Sequence, residues 1–419
     1  MSKRLAILII LILLALPAKS ESRFDMSGYV KNFSILLIQP GYEQGEETLK
    51  EADMGAVNTR LRIQLRYMFS DRLSLNAAYD IQPRVQDPRL FETDALSFGL
   101  EPPGYRAADF RDRLYPAPDA EVKSFGLFHN LDRLAVTFKF KFGDIYLGRQ
   151  AIAWGSARII NPTDIIAPFS FNELDTEERR GVDALRVRIP LGMMDELDFG
   201  YVAGEDFAFD QSAFFLRAKT YLLKTDLSLL LMGFREHLMV GFDLSRAVGG
   251  ASVWLETAYV SPDFFNSEPE KQDPYFRGSL GVDFNFKGGW YTFLEYHYSS
   301  AGENRAEDYL NLLDSTAFQD GSVYLLGKHY LGLGMTKQVT GLITATGFVL
   351  ANLSDGSFSL SPQLEYNIAE NVYISAGAYI GLGKGPEYVL GPLDENPLLF
   401  HSEFGAYPDM IYTSFRFYF

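Results

Sequence analysis

Three arginines at alternate positions of one extended segment carry the clearest chemistry in this sequence. Arg60, Arg62 and Arg66 are spaced by two and four residues, so in a β-strand their side chains share one face. The odd-numbered positions around them are aliphatic or aromatic, which makes the opposite face apolar. Such a strand suits the wall of a membrane barrel, because guanidinium groups turned toward lipid would be prohibitively costly. On the inner face they would line water and attract the anionic groups of a solute.

The same alternation of polar and apolar residues recurs further along the chain. With the apolar face of each strand assigned to lipid, the inward-facing cations are Arg60, Arg62, Arg66, Lys139, Lys141, Arg186, Arg188, Arg217 and Lys219. Strands of the second half contribute acids instead, namely Asp243, Glu256, Asp283, Glu295 and Glu365. Because consecutive strands are neighbours in a barrel, this pattern predicts a basic wall opposite an acidic wall, a field that orients polar solutes. The alternative is an ordinary polar lining in which the charges pair with one another.

A long segment between two predicted strands, 154–180, is a candidate constriction loop. Its charged residues are Asp164, Glu173, Asp175, Glu177, Glu178, Arg179 and Arg180. The motif Asn-Pro-Thr-Asp at 161–164 predicts an Asx or ST turn, since both flanking side chains can accept hydrogen bonds from nearby amides. We expect the loop to fold into the barrel as a constriction. The alternative is a structural corner that holds Trp154 at the rim.

The elements that would position these residues are about 18 strands, with 16 as the second possibility. Period-two alternation recurs along the chain, and no stretch has comparably strong helical periodicity. Connections are short after every second strand and mostly long after the others, chiefly 82–131 and 154–180. This asymmetry is typical of an all-β, antiparallel transmembrane β-barrel with both termini periplasmic and long extracellular loops. A soluble β-sandwich or β-helix also alternates, but it does not explain the asymmetry. The six prolines of 82–131 predict that this segment does not pair as regular strands.

The N-terminus predicts export from the cytoplasm. Two basic residues precede an apolar run of 12 residues, and Ala18 and Ser20 fit a signal-peptidase site, so 1–20 is expected to be a signal peptide. The run is too short for a mature transmembrane helix, although an uncleaved anchor is the alternative. Residues 21–419 would then form one outer-membrane β-barrel. The formal net charge of -16 argues against nucleic acid as a partner, and the absence of cysteine excludes a disulfide framework.

The last residues suit the closing strand of a barrel, with Phe415, Phe417 and Phe419 on one face. A bilayer tolerates no unpaired strand edge, so this strand must pair with the first one. The ending resembles the C-terminal strand signature of Gram-negative outer-membrane proteins, which alternates aromatic residues and ends on phenylalanine. The resemblance implies that the barrel-assembly machinery recognises this strand, with the three phenylalanines as the assembly signal.

Three mid-chain motifs, at 129–134, 147–169 and 175–187, resemble porin-like outer-membrane proteins of an uncharacterised bacterial family. A more distant similarity connects them with alginate-export barrels. The resemblance implies a porin-like barrel in the bacterial outer membrane, in contact with lipid and lipopolysaccharide, and a channel-like role. It transfers no functional residue to this chain, and it leaves an oligomeric assembly open.

Catalysis has little support in the sequence. The five histidines are scattered, and the chain has no metal-ligand spacing, nucleophile elbow or phosphate-binding loop. His297, predicted to point inward beside Glu295, is the one histidine placed for acid–base chemistry. We therefore expect no enzyme activity, no metal and no cofactor.

The pattern as a whole favours a porin-like channel for passive or substrate-biased passage of small polar solutes, with anionic ones preferred. The alternative is a structural sheath, a barrel whose lumen is filled by a periplasmic or redox partner. The channel hypothesis carries a definite expectation. Replacing Arg60, Arg62 and Arg66 with serine should shift permeability toward cations while folding survives.

Overall fold

The computed structural model describes residues 23–44, 47–50, 52–92, 104–110, 113–117, 120–266, 272–313, 315–388 and 398–419. The predicted signal peptide at 1–20 lies outside these residues. Within them, no helix has the length and hydropathy needed to cross a membrane.

Eighteen long antiparallel strands form a single sheet that closes on itself. In chain order they are β1 (Phe24–Ile38), β2 (Met54–Ser70), β3 (Leu73–Gln86), β4 (Phe125–Lys139), β5 (Asp144–Gln150), β6 (Val182–Pro190), β7 (Glu196–Val202), β8 (Ala213–Leu222), β9 (Thr225–Phe234), β10 (His237–Val248), β11 (Ala251–Ser261), β12 (Tyr275–Phe286), β13 (Trp290–Ser299), β14 (His329–Gln338), β15 (Ile343–Asn352), β16 (Phe358–Ala369), β17 (Val372–Leu382) and β18 (Asp409–Tyr418). Each strand pairs with the strands before and after it, and β18 pairs with β1. The predicted all-β barrel is confirmed, with 18 strands rather than 16.

The alternation in the sequence places apolar side chains outside and polar side chains inside. In β18, Phe415 and Phe417 are exposed on the outer surface, while Tyr412 and Ser414 are buried inside. An outer surface of aliphatic and aromatic side chains is the surface that a barrel presents to lipid, where no water is available to solvate polar groups. The barrel therefore has the exterior of a membrane-spanning protein.

The first and last strands close the barrel through a tight backbone contact. Gly28 and Phe419 exchange two hydrogen bonds, with N···O distances of 2.9 and 3.0 Å. A Cβ atom at Gly28 would lie 2.7 Å from the Phe419 ring, so only glycine allows this approach. The terminal phenylalanine is thus part of the seam.

The two rims of the barrel differ in the length of their connections. One rim holds the start of β1, the end of β18 and eight short turns, at 71–72, 140–143, 191–195, 223–224, 249–250, 287–289, 339–342 and 370–371. The other carries the connections 39–53, 87–124, 151–181, 203–212, 235–236, 262–274, 300–328, 353–357 and 383–408. We call them the short-turn rim and the long-loop rim. The assignment of the short-turn rim to the periplasm stays a prediction.

Several small elements lie within the long connections. The short strands are Gly41–Gln44, Glu47–Lys50, Arg113–Tyr115, Glu387–Tyr388 and Leu398–Leu399. The α-helices are Arg89–Glu92, Tyr309–Leu313, Thr316–Gln319 and Glu403–Ala406, and the 3₁₀ helices are Glu205–Phe207, Phe209–Gln211 and Ala306–Asp308. The strand Arg113–Tyr115 pairs with the start of β4.

The connection predicted at 82–131 is shorter in the structure. Both β3 and β4 extend into it and pair with each other, which leaves 87–124 as the connection, so the prediction of an unpaired segment is wrong at both ends. Pro83 lies opposite Leu127 of β4, and it has no ladder partner on β2. Proline lacks an N–H, so a strand accommodates it where one side of the ladder is open.

Part of the lumen is filled by an apolar core. Ile152, Trp154 and Ile165, from the connection 151–181, pack there against inward side chains of β7 to β12. The ring of Trp154 lies 4.7 Å from that of Phe215, centroid to centroid, in an edge-to-face arrangement. The connection 151–181 is therefore packed against the inner wall, and Trp154 is a buried anchor.

Candidate functional site

The connection 151–181, here called the inward loop, contacts two opposite regions of the inner wall. Its amide segment (155–163) lies against β10 to β13, whereas its acidic segment (175–178) lies against β18, β1, β2 and β4. β3 lies between β2 and β4 in the second region, and β12 lies in the first. In the order of the closed sheet these two strands are nine strands apart, half of the way around the barrel. The inward loop therefore crosses the lumen from one wall to the other.

Glu256 of β11 holds the amide segment through a fully buried carboxylate. It accepts hydrogen bonds from the amides of Ser156, Ala157 and Thr163 at 3.0, 3.1 and 2.8 Å, and from the Thr163 hydroxyl at 2.7 Å. Gly155 has a φ of +108°, and a Cβ there would approach the same carboxylate to 2.6 Å. A positive φ and this close approach together require glycine.

Glu295 of β13 repeats the arrangement two strands further on. Its carboxylate accepts from the amides of Arg158, Ile159 and Ile160 at 2.6, 3.1 and 3.2 Å, and from the Trp254 indole at 2.8 Å. Buried carboxylates are tolerated when several N–H dipoles converge on them. The acidic wall therefore binds the backbone of the loop.

Two further acids of this wall bind side chains of the amide segment. The Ser156 hydroxyl donates to Asp243, and Arg158 forms an ion pair with Asp283 at 2.9 Å. The Arg158 guanidinium also lies 5.2 Å from the Trp254 ring centroid. Four of the five predicted wall acids thus hold the inward loop.

Asp164 and Arg179 form an ion pair within the inward loop, with a distance of 2.8 Å. The Asp164 amide donates to the Asn161 backbone carbonyl at 3.2 Å, so 161–164 is a backbone β-turn. The Asn161 side-chain oxygen accepts no hydrogen bond from the described residues, so the predicted capping by that side chain is not seen. Burial raises the pKa of Asp164 to about 6, although Arg179 opposes the shift. The Arg179 guanidinium also stacks 3.8 Å from the Phe169 ring centroid. These contacts join the middle of the loop to its end.

The acidic segment binds cations at the seam of the barrel. Asp175 pairs with Lys31 at 2.7 Å and with Arg60 at 3.1 Å. Glu177 pairs with Lys31 at 2.8 Å and with Arg416 at 3.2 Å, and it accepts a hydrogen bond from the Tyr418 hydroxyl. Burial opposes ionisation of Glu177, but these donors outweigh it and lower its pKa. One short segment thus ties together β1, β2 and β18.

Glu178 binds the next part of the same wall. It lies 3.5 Å from both Arg62 and Arg133, and it accepts a hydrogen bond from Gln64 at 3.0 Å. Arg133 also donates to the Arg179 carbonyl at 2.6 Å. The loop end is thus held by β2 and β4 together.

Arg60 and Arg62 have wall partners as well as loop partners. Asp80 lies 2.9 Å from Arg60 and 3.1 Å from Arg62, and Asp132 lies 2.8 Å from Arg62. A register shift in β4 places both Asp132 and Arg133 inside, where strict alternation would turn one of them to lipid. The two arginines are therefore embedded in a network of ion pairs.

The remaining predicted cations are distributed toward the short-turn rim. Arg186 pairs with Asp198 at 2.6 Å, Arg188 with Glu196 at 2.5 Å and Lys219 with Asp226 at 3.4 Å. Arg217 donates to the Ser228 hydroxyl at 2.8 Å, and Arg66 and Lys139 are exposed. Lys141 lies in the turn 140–143, because β4 ends two residues earlier. Adjacent strands therefore supply acids to much of the predicted basic wall, as in the alternative of a paired lining.

Two further predicted loop residues are exposed. Glu173 lies near the acidic segment, and its amide donates to the Ser170 carbonyl at 3.2 Å. Arg180 lies at the end of the loop. The predicted loop acids that the structure brings to wall cations are Asp175, Glu177 and Glu178.

Sequence reasoning missed five charged wall residues in the ion-pair network around the acidic segment. They are Lys31, Asp80, Asp132, Arg133 and Arg416. For Asp80, Arg133 and Arg416 the signal was available, since each is a charge on the polar face of an alternating strand. For Lys31 and Asp132 it was not, because Lys31 shares its face with Phe33 and Leu37, and because the bulge at Asp132 cannot be read from alternation.

The inward-facing histidine of β13 belongs to the loop anchor. His297 Nδ1 lies 2.9 Å from the Ser279 hydroxyl, and that hydroxyl donates to the Ile160 carbonyl at 2.7 Å. Both side chains are buried. The Ser279 hydroxyl thus lies within hydrogen-bond distance of both a loop carbonyl and the imidazole, and it links the two. Among the described residues, no group of three or more potential ligands is placed to hold a metal.

No protein-family model matches the chain, and no curated protein sequence matches it significantly. Solved structures are similar to it in fold. OccD3 (OpdP) from Pseudomonas aeruginosa has a TM-score of 0.52 at 8% identity, over 94% of this chain and 91% of its own. The outer membrane protein OpdK from the same organism, also solved with vanillate, has a TM-score of 0.51 at 9% identity, over 94% and 98%. OccAB2 from Acinetobacter baumannii has a TM-score of 0.52 at 8% identity, over 94% and 98%.

At such low identity, the similarity establishes the fold and leaves the solute open. It agrees with the predicted location in the bacterial outer membrane, as does the apolar exterior of the barrel. The similarity to alginate-export barrels stays a prediction. The chain has the porin-like fold that its sequence predicted, a closed outer-membrane β-barrel of 18 strands.

Proposed function

We propose that the protein is an outer-membrane channel for passive or substrate-biased passage of small polar solutes. The observation that carries this proposal is a closed barrel whose charged inner wall is bridged by the inward loop, bound to both sides. A loop held in this way narrows the route without filling the barrel with a separate domain. Solutes would pass the exposed carboxylates and cations near the acidic segment.

Anionic solutes are the preferred cargo in this proposal. Arg66, Lys139 and Arg217 form no ion pair within the part of the chain that the structure describes, and they belong to inward-facing positions below the inward loop. Such cations raise the local concentration of anions. Arg60 and Arg62, on which the sequence-based selectivity rested, are engaged in ion pairs, so the preference rests on the other three.

The orientation and the assembly complete the proposal. Both termini and the short turns would face the periplasm, and the long connections, with 87–124 the longest, would face the exterior and lipopolysaccharide. Phe415, Phe417 and Phe419, all exposed on the outer surface, would be read by the barrel-assembly machinery before they contact lipid. Oligomers are compatible with this arrangement.

The test is a planar-bilayer recording of the purified barrel with KCl at different concentrations on the two sides. We expect a conducting pore whose reversal potential has the sign of an anion-selective channel. A cation-selective potential would contradict the preference. A silent membrane, with protein that is shown to be folded and inserted, would contradict the channel and support the sheath alternative.

A pair of variants sharpens the selectivity test. The double substitution Arg66→Ser and Arg217→Ser should reduce anion selectivity at unchanged yield, because neither guanidinium forms an ion pair with a carboxylate of the described residues. Lys141→Ser is the matched control, since it removes a cation from the turn at the rim. Equal reversal potentials for the double variant and the control would contradict the assignment of selectivity to these arginines.

A further inference from the structure

The acidic segment covers a cationic patch that has the composition of an anion-binding site. The patch consists of Lys31, Arg60, Arg62, Arg133 and Arg416. The carboxylates that the wall itself supplies to it are Asp80, Asp132 and Glu365. Five cations thus face three wall carboxylates, which leaves two positive charges in excess before the loop is counted. The three carboxylates of the acidic segment reverse that excess.

Lys31 is the member of the patch that depends most on the loop. Its side chain is fully buried, and the carboxylates that pair with it among the described residues, Asp175 and Glu177, belong to the acidic segment. Its ammonium lies 4.1 Å from the centroid of the Tyr29 ring. A buried ammonium needs an anion beside it, so displacement of the acidic segment leaves a cation that another anion would stabilise.

The carboxylates of the acidic segment lie on the water side of these contacts. The side chains of Glu177 and Glu178 are 40% and 27% exposed, whereas those of Lys31 and Arg62 are 0% and 1% exposed. A solute in the lumen therefore meets the loop carboxylates before it reaches the cations. Partly exposed ion pairs are individually weak, so an anion of similar chemistry can exchange with them.

The flanks of the acidic segment are held separately. The amide of Gly181 donates to Asp132 at 2.9 Å, and Asp164 binds Arg179 at 2.8 Å. On the other side, the Phe171 ring lies 5.6 Å from that of Phe404, centroid to centroid. Movement of 175–178 therefore does not require release of the amide segment.

We propose that the cationic patch is a binding site for a small dicarboxylate, and that the acidic segment is its internal competitor. Two carboxylates, from Asp175 and Glu177, meet at the single ammonium of Lys31, and a solute with two carboxylates can reproduce both contacts. The inference rests on the proposed function, because the solute must reach the middle of the lumen. Binding and displacement of the acidic segment are then one exchange of ion pairs.

The test is a titration of the detergent-solubilised, folded barrel with succinate by isothermal calorimetry. The triple variant Asp175→Asn, Glu177→Gln and Glu178→Gln removes the competitor at nearly constant shape. We expect it to bind succinate at least about tenfold more tightly than the natural chain. Adding Lys31→Met to the triple variant should abolish the gain, and succinamide, the uncharged analogue, should not bind.

Two further variants keep the outcome decisive. Glu177→Gln alone removes one of the two carboxylates at Lys31 and should give an intermediate gain, which covers the case of a triple variant that folds poorly. Glu196→Gln frees Arg188, a lumen cation away from the inward loop, and should give no comparable gain. Equal succinate affinity in the natural chain and the triple variant, or a gain that survives Lys31→Met, would overturn the inference.

Calorimetry separates this inference from the proposed function, since it does not depend on conduction. Conduction without a gain in succinate affinity in the triple variant would support the channel and contradict the internal competitor. A gain that disappears with Lys31→Met, in a barrel that does not conduct, would support the binding site and contradict the channel.

Discussion

The amide segment and the acidic segment of the inward loop are held to opposite walls by different groups. At the first, Glu256 and Glu295 of the wall accept hydrogen bonds from backbone amides. At the second, Asp175 and Glu177 of the loop pair with cations of the wall. The wall therefore supplies the carboxylates at the amide segment, whereas the loop supplies them at the acidic segment.

This difference separates a fixed contact from an exchangeable one. Every sequence supplies backbone amides, so the hold on the amide segment resides in the buried wall carboxylates. The hold on the acidic segment resides in its own side chains, which are partly exposed. Buried hydrogen bonds to a charged group are strong and little affected by salt, whereas exposed ion pairs are weak and screened. The structure thus combines a rigid anchor with a segment suited to move.

The largest effect is expected from Glu256→Ala. It leaves the buried amides of Ala157 and Thr163, and the Thr163 hydroxyl, without their acceptor, at about 1–3 kcal/mol for each group. The heat-modifiable gel shift should occur at a clearly lower temperature, and protease should cut within 155–163. Glu256→Gln retains one acceptor oxygen, so its transition temperature should lie between those of Glu256→Ala and the natural chain. An unchanged transition for Glu256→Ala would remove the distinction between anchor and mobile segment.

A somewhat smaller loss of stability is expected from Arg62→Ser. Arg62 is buried between Asp80 and Asp132, and removal of one partner from a buried ion pair costs about 3–5 kcal/mol. The expectation that serine at all three arginines leaves folding intact is therefore revised. Arg66→Ser is the matched control, because this exposed arginine has no carboxylate partner among the described residues. Equal unfolding temperatures for the two variants would show that the buried network contributes little.

Acid should affect the two parts of the loop with opposite sign. The raised pKa of Asp164, about 6, means that its contribution is fully present below the ordinary value and is lost as the pH rises through about 6. The pKa of Glu177 is lowered, so its contribution to stability is present above the ordinary pKa of a glutamate. That contribution is lost as the pH falls through the lowered pKa.

Conductance measured against pH checks this expectation. Between pH 7 and 5 the folded conformation of the loop around Asp164 should become more stable, so conductance should not rise. Once the pH falls below the ordinary pKa of a glutamate, the acidic segment should loosen and conductance should rise. Glu177→Gln should flatten the rise at low pH, and Asp164→Asn should remove the pH-dependent stabilisation of the middle of the loop near pH 6. A rise that persists in Glu177→Gln would assign the response to another group.

Salt should produce the smallest effect, confined to the acidic segment. The screening length falls from about 10 Å at 0.1 M to about 3 Å at 1 M, and partly exposed pairs contribute about 0–1 kcal/mol. Hydrogen exchange at 175–180 should therefore quicken by at most several-fold in 1 M KCl, while exchange at 156–163 stays constant. Equal acceleration in both segments would mean that the loop responds as one unit.

Alternation alone predicted the strands well, since the pleat places successive side chains on opposite faces of a strand. The bilayer then decides that the apolar face is the outer one. Alternation placed Arg62 inside and Phe417 outside, where the structure has them. It failed at Pro83, which the sequence marks as a strand breaker and which the ladder accommodates on its open side. It also failed at Asp132, because a bulge there turns inward a residue that strict alternation would place outside.

The sequence by itself determined the barrel, its inward charges and the existence of a charged loop between β5 and β6. The tertiary structure alone decided which charges meet. Asp175 and Lys31 are far apart in the chain, and closure of the sheet brings the first strand beside the last, where the loop ends. Glu256 carries no sign in the sequence that it will bind backbone amides, because an amide has no side chain to read. Alternation is a local property of each strand, whereas pairing across a lumen depends on distances that exist only after the barrel has closed.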